Sequence, residues 1–450
     1  MPITNRLSVP AYDIACQTIE SDGCLRHTIF LPGGGGSSRS GIPNKIQIAV
    51  GGKSGVDPVA DVSTGQNICY AVTSGSLPGC GMRNVLVCAF NSSCTVYRII
   101  CSKGVSNASQ DTNLDVNLKE VATFEADFFS PSTEPVSKSS PAASPNPPSA
   151  GGVNCVCIAP SQDAILTGGE DGQVRLWHFA PISSQAKDNP DGAKIRADSH
   201  LLSRHASGLV GLDFCASKGL VASSCRGGML KIWALKCDTS DSSGDRAGKA
   251  RGDKGPASSS SSSSHGDSAS ALLILNCYDD ADLFRDGVCK RRGVWNAKWI
   301  RAIVFSPQAP VLIPPIDQDC SGYEAVYLFA LRCGRQGASY ILKYKLLVPT
   351  RRNGTRPWTG ATNNNSSSSS SSSSGGSDHT RTYPGAIHVL VGHVCTNSGP
   401  SAKLSISDCG GYLAVGAGDG SVCILSASSL QILARHAVHD LPVTGLSFAG

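Results

Sequence analysis

An all-β propeller, a ring of small antiparallel sheets, is the fold the sequence predicts, and three observations predict it. First, three segments share one order of elements: residues 153–179 (VNCVCIAPSQDAILTGGEDGQVRLWHF), 209–235 (LVGLDFCASKGLVASSCRGGMLKIWAL) and 402–426 (AKLSISDCGGYLAVGAGDGSVCILS). Each holds an alternating apolar strand, a turn, a second apolar strand ending in small residues, then a tight turn into a third strand. Second, those tight turns are Asp171-Gly172, Gly227-Gly228 and Asp419-Gly420, dipeptides that supply the positive φ angles hairpins require. Third, only 16% of the 450 residues are charged while Gly and Pro number 49 and 25, a balance suited to many short strands joined by turns.

Each element has a physical reason. Alternation turns one face of a strand toward a neighbouring sheet. Thr167, Gly168 and Gly169 are small enough for inner strands to crowd toward an axis, and Trp177 and Trp233 close the third strand with a large buried ring. One such sheet cannot bury both faces, so it stacks radially on copies of itself, giving a propeller, usually of four to eight blades. The pattern is that of a WD-repeat β-propeller. Further strands are predicted at residues 28–30, 45–50, 84–100 (two strands around Asn-Ser-Ser), 299–306 and 325–346. The best count is seven blades in a single domain over residues 1–450, the last one incomplete, so that further chain is expected after Gly450. Long disordered Ser-rich insertions are expected at about residues 103–150, 181–204, 238–270 and 351–384. Two of these hold runs of seven and nine serines, and they lack the apolar residues that offset the entropy of ordering.

Composition excludes several function classes. The net charge of +5 is spread thinly; its densest patch, residues 244–254, is interrupted by Asp and has the character of a solvated loop, so no nucleic-acid partner is expected. Arg291, Arg292, Trp295, Lys298 and Trp299 mix basic and aromatic character, but a strand with an exposed basic end accounts for them. The 19 cysteines contain no C-x-x-C and no zinc spacing. Cys88, Cys155, Cys157, Cys215, Cys277 and Cys423 lie in apolar runs where Cys acts as a small hydrophobe, which predicts a reducing compartment and makes the sequons at Asn91, Asn107 and Asn353 chance matches. No signal peptide and no run of about 18 apolar residues is present. His178, His205, His393 and His436 fall near blade edges and Asp163, Asp171 and Asp419 in turns, so structural roles are expected of all seven and no enzyme activity is.

The most unusual stretch is residues 31–45, LPGGGGSSRSGIPNK. The P-loop pattern fails there, because Ile42-Pro43 stand where Lys-Ser should, and the dinucleotide fingerprint lacks its helix and downstream acid. On the residues alone, two readings stand. One is a long flexible hairpin loop. The other is a loop ordered by a cation or a partner: consecutive glycines expose backbone carbonyls, Ser37 and Asn44 add neutral oxygens, and such ligands suit a large, weakly hydrated ion such as potassium. Pro43 stiffens the exit.

The run GGGGSSRSGIPNKI resembles the N-terminal loop of the endoplasmic-reticulum guanine nucleotide exchange factors for the Sar-type small GTPase, the prolactin regulatory element-binding protein family. Residues 416–424, 429–433 and 436–448 are similar to that family's last blade. The likeness covers both ends of the chain, the middle matching only as generic WD repeats; the Ser-rich insertions depart from the family, and its C-terminal transmembrane anchor is absent from this chain. What the resemblance implies is specific. Residues 33–44 would bind potassium through Gly33, Gly34, Gly35, Gly36, Ser37 and Asn44, and the tip, Ile42 with Pro43 and Asn44, would contact the GTPase switch regions. The activity implied is GDP release that starts COPII coat assembly, on an endoplasmic-reticulum membrane with the propeller facing the cytosol. A generic WD-repeat scaffold or adaptor in a multiprotein complex is the alternative.

Overall fold

The computed structural model describes residues 9–21, 24–35, 40–52, 55–103, 114–126, 152–181, 195–235, 271–276, 299–307, 323–333, 338–349, 387–397, 399–438 and 440–449. These form twenty-four strands in six four-stranded antiparallel sheets. The first blade is β1 (Ala15–Ser21), β2 (Cys24–Gly33), β3 (Asn44–Gly52) and β4 (Gly55–Gly65); the second is β5 (Ala71–Leu77), β6 (Met82–Ala89), β7 (Ser93–Lys103) and β8 (Leu114–Glu125). The third is β9 (Val153–Ala159), β10 (Ala164–Gly169), β11 (Gln173–Pro181) and β12 (Ile195–Arg204). The fourth is β13 (Leu209–Cys215), β14 (Leu220–Cys225), β15 (Met229–Ala234) and β16 (Ala271–Asn276). The fifth holds β17 (Trp299–Phe305), β18 (Tyr323–Cys333), β19 (Ser339–Pro349) and β20 (Ile387–Asn397); the sixth holds β21 (Ser401–Ile406), β22 (Tyr412–Ala417), β23 (Ser421–Ser426) and β24 (Ile432–Ala437).

Within every blade the strands pair in chain order, so each sheet is a plain meander. The first strands of successive blades, β1, β5, β9, β13, β17 and β21, are spatial neighbours and face the axis. The turns behave as their sequence requires: Gly172, Gly228 and Gly420 have φ of 73°, 80° and 81°. Trp177 and Trp233 are buried, and each ties its strand to the preceding one through its indole nitrogen, at 2.9 Å from Thr167 Oγ1 and 3.1 Å from Ser223 Oγ.

The apolar core lies between blades. One cluster joins blades one and two around Phe30, Ile46, Ile48 and Leu86; another joins two and three around Leu77, Val87, Ile165 and Trp177. Similar clusters fill the contacts of blades three with four, four with five, and five with six. Among the described residues no such cluster spans blades six and one. That seam is closed by Lys403 Nζ at 2.8 Å from Asp13 Oδ1, while Asp13 Oδ2 accepts the Val72 amide of blade two at 3.1 Å. Residues 441–449 pack alongside: the Val443 amide donates to the Ala417 carbonyl at 3.0 Å, and the Thr444 hydroxyl donates to the Ala11 carbonyl at 2.8 Å.

Three expectations are corrected. The ring shows six blades, not seven. The six strand groups that the sequence delimits are the six sheets, and residues 441–449, which continue the repeat pattern, lie outside every named strand and wedge into the seam. The insertion expected at residues 103–150 contains β8, whose Val116 and Leu118 pack toward the first blade and whose Val121 packs toward the third, and the one at 181–204 contains β12. A bulge in the β7–β8 ladder interrupts the alternation of β8 and weakens its signal. The insertions expected at 238–270 and 351–384 lie outside the described residues.

Candidate functional site

The glycine-rich loop joins β2 to β3 on the first blade. Gly33 ends β2 opposite Lys45, and Asn44 opens β3 opposite Gly65, so the loop springs from adjacent strands of one ladder. Gly33, Gly34, Gly35 and residues 40–44 are described; Gly36 and Ser37, two of the expected potassium ligands, lie outside the described residues.

An N-terminal strap, residues 9–14, holds the base of the loop. Ala11 bridges to Gly33, the Gly34 amide donates to the Pro10 carbonyl at 3.0 Å, and the Tyr12 amide donates to the Pro32 carbonyl at 2.8 Å. The Tyr12 phenol donates to the Gly34 carbonyl at 2.9 Å. This close approach explains the glycines. A Cβ on Gly33 would stand 2.2 Å from the Pro10 carbonyl oxygen, and one on Gly34, whose φ is +150°, would stand 2.2 Å from Asn44 Oδ1. No other residue fits either place without moving backbone.

The two arms of the loop are themselves linked. The Gly35 amide donates to the Ile42 carbonyl and the Ile42 amide to Ser40 Oγ, both at 3.3 Å. Asn44 is buried, and its amide nitrogen donates to the Gly65 carbonyl at 3.3 Å, which turns Oδ1 toward Gly34. Ile42 stands at the other extreme: it is 41% exposed, flanked by exposed Gly41 and Pro43. Exposed Ile42 and buried Asn44 are thus separated by Pro43 alone.

Two of the oxygens expected to hold potassium lie at the base of the loop. Asn44 Oδ1 faces Gly34, and the Gly34 carbonyl keeps one lone pair beyond the Tyr12 hydroxyl. Among the described residues no group of three or more His, Cys, Asp or Glu is placed to hold a metal ion.

The remaining singled-out residues take structural places. His205 Nε2 and Ser223 Oγ share a hydrogen bond of 2.8 Å, and Ser223 also receives the Trp233 indole. Burial, with a smaller contribution from Lys231, lowers His205 to about 4, so the ring is neutral near pH 7. Asp171 pairs with Arg175 at 2.5 Å inside the third blade, and Arg175 also donates to the Ala126 carbonyl of the second at 2.9 Å. Asp163 caps its turn with a φ of 47° and accepts the Gly79 amide of the second blade at 2.5 Å. Asp419 accepts the Ser421 amide within its own turn, at 2.9 Å. His178 sits in β11 and exposed His436 in β24, while the side chain of His393 and residues 291–298 lie outside the described residues. Burial pushes the Cys155 thiol up to about 12 and those of Cys88 and Cys94 well above the usual range, as befits cysteines used for packing. Sequence reasoning missed Pro10, Tyr12 and Tyr70, whose ring lies 6.2 Å from that of Tyr12. They sit in short stretches that carry no periodic signal.

Among the described residues no helix is long and apolar enough to cross a membrane. The WD domain, G-beta repeat family matches residues 145–178, the segment that builds the start of the third blade. No curated protein is detectably similar in sequence. Among solved structures, Sqt1 of Chaetomium thermophilum bound to the N-terminus of the ribosomal protein L10 is similar at 14% identity and a TM-score of 0.46, covering 97% of this chain and 77% of that one. Sqt1 of the same organism in another crystal structure is similar at 14% identity and a TM-score of 0.47, with 97% and 75% covered. Likenesses of this size carry no function across. The sheet topology makes the chain a six-bladed β-propeller, and its third blade carries the match to the WD domain, G-beta repeat family.

Proposed function

We propose that this propeller is a guanine nucleotide exchange factor for a Sar-type small GTPase, promoting GDP release to start COPII coat assembly at the endoplasmic reticulum. The observation that carries the reading is the loop of residues 33–44: its base is buried and cross-braced while Ile42, two positions from buried Asn44, is exposed. A loop built for length alone has no use for glycines that fit only against Pro10 and Asn44.

Exchange of this kind requires no covalent step. A surface that binds the nucleotide-free GTPase more tightly than the nucleotide-bound form lowers nucleotide affinity by the same factor, by linkage. The switch segments of small GTPases are order–disorder elements held by Mg²⁺ and phosphate, so an apolar side chain that packs among them competes with that order. Ile42 supplies that side chain, Pro43 restricts the backbone beside it, and Asn44 anchors the arm to Gly65. Potassium, when bound, supplies a positive centre for neutral oxygens. Asn44 and the carbonyls of Gly33, Gly34 and Gly35 would hold it, with Gly36 and Ser37 as the resemblance implies. The membrane location belongs to the same proposal.

The experiment is GDP release from a purified Sar-type GTPase, with and without the protein, in K⁺ and then in Na⁺. Acceleration in K⁺ that weakens in Na⁺ is expected. No acceleration in K⁺ overturns the reading and leaves a WD-repeat scaffold or adaptor, whose partner site has no need of this loop.

A further inference from the structure

We infer that Tyr12 is a positioning residue for the glycine loop, and that the N-terminal strap carrying it couples the loop to the closure of the ring. The inference rests on the loop being the working segment, as proposed above. The observation behind it is a chain of contacts that no sheet ladder requires.

Tyr12 donates its phenol to the Gly34 carbonyl, and the strap's backbone also pairs with the loop base, the Gly34 amide donating to the Pro10 carbonyl and the Tyr12 amide to the Pro32 carbonyl. Gly35, next in the chain, donates to the Ile42 carbonyl. Two hydrogen bonds and one peptide unit therefore connect the Tyr12 side chain to Ile42. In the other direction the strap is fastened to the seam between blades six and one. The Ala11 carbonyl accepts the Thr444 hydroxyl, Asp13 holds Lys403 of the sixth blade and the Val72 amide of the second, and a Cβ on Gly445 would stand 2.8 Å from the Ile14 amide nitrogen. The strap is thus bonded to the loop base and to the closing segment at once.

Physical chemistry assigns the phenol its role. The Gly34 carbonyl lies outside the β2–β3 ladder, so without Tyr12 its peptide unit is held only by the 3.3 Å bond from the Gly35 amide to the Ile42 carbonyl, and glycine on either side lets it turn more widely. Losing that donor spreads the loop over several arrangements, of which the partner-competent one is a fraction. A partner that binds only that arrangement then shows weaker apparent affinity by the same fraction, while the rate at saturation is unchanged. A purely structural residue, when altered, would lower overall stability instead.

The test uses Tyr12→Phe, which keeps the ring and removes the hydroxyl, beside Tyr70→Phe as control. Amide hydrogen exchange is followed over residues 33–44 of the isolated protein, together with thermal unfolding and with GDP release at increasing GTPase concentration. Tyr12→Phe is expected to speed exchange in this peptide about five-fold, the ratio one net hydrogen bond supports, with the melting temperature and the protection of the β6 and β14 amides unchanged. The half-saturating GTPase concentration is expected to rise by a similar factor at constant maximal rate. Tyr70→Phe is expected to match the unaltered protein. Unchanged exchange over residues 33–44 in Tyr12→Phe overturns the inference, as does faster exchange spread evenly over all blades. The exchange measurement needs no GTPase, so failure of the unaltered protein to release GDP would count against the proposed function and leave the positioning result to stand or fall alone.

Discussion

At the scale of single residues, the molecule separates side chains that act by touching water from those that act by avoiding it. Ile42 is the clearest of the first kind. Replacing it with Ala removes apolar surface from an exposed tip, so stability should change by less than about 0.5 kcal/mol, while GDP release should slow at least about ten-fold if the contact contributes about 1.5–3 kcal/mol to the partner complex. A large loss of stability in urea would instead place Ile42 in the core. Gly34 is of the second kind: Gly34→Ala forces a Cβ against the backbone and side chain of Asn44 at a φ of +150°, and a cost of about 1–3 kcal/mol is expected in urea unfolding. His205 adds a pH dependence whose sign follows from its lowered value. The folded ring titrates near 4 and the unfolded ring near 6.5, so the unfolded chain binds the extra proton first. The contribution of His205 is therefore present above about pH 6.5 and is lost as pH falls toward 4, by roughly 2–3 kcal/mol. Urea unfolding at pH 7 and pH 4.5 should show the unaltered protein's advantage over His205→Gln shrinking at the lower pH; an equal gap at both would refute it.

At the scale of elements, the meander is specified by turns and by cross-blade ties. Asp171 shows both at once. It receives the Gln173 amide within its turn at 2.9 Å and pairs with buried Arg175, which reaches the second blade through the Ala126 carbonyl. Asp171→Ala leaves a buried guanidinium without its carboxylate, and a loss of about 3–5 kcal/mol is expected from thermal or urea unfolding. Because the pair is internal, raising the salt concentration should change that cost little. The turn-and-strand pattern made the third, fourth and sixth blades legible from the sequence, since DG, GG and DG dipeptides lie between apolar runs. The outer strands β8 and β12 were not legible. They follow long polar segments that mask the period, and a register shift interrupts the pairing of each.

At the scale of the whole molecule, five blade contacts hold an apolar cluster, and among the described residues the sixth is held by the Asp13–Lys403 pair and the smaller contacts of residues 441–449. A ring is opened most easily where the least apolar surface is buried. Residues 10–14 and 441–449 should therefore lose amide protection before any blade interior, and Lys403→Met should hasten that loss. A double-mutant cycle with Asp13→Asn and Lys403→Met should give a coupling of about 1 kcal/mol that weakens at high salt, because the pair is partly exposed. The blade count belongs to this scale too. Each sheet is encoded locally, but the number that closes a ring depends on the angle between neighbouring sheets, which no segment carries by itself.

The sequence by itself determined that the chain is a ring of β-meanders, where three of its blades lie, and that residues 33–44 differ from everything else in it. Those features are local, written in the alternation of apolar residues and in turn dipeptides. Only the tertiary structure decided that six sheets complete the ring, that Asp13 and Lys403 seal it, and that Pro10 and Tyr12 grip the glycine loop from outside its own blade. Lys403 lies 390 residues from the Asp13 it binds, and Tyr12 lies 22 from Gly34. Single polar contacts across such separations leave no period in the sequence, and they exist only once the blades have brought them together.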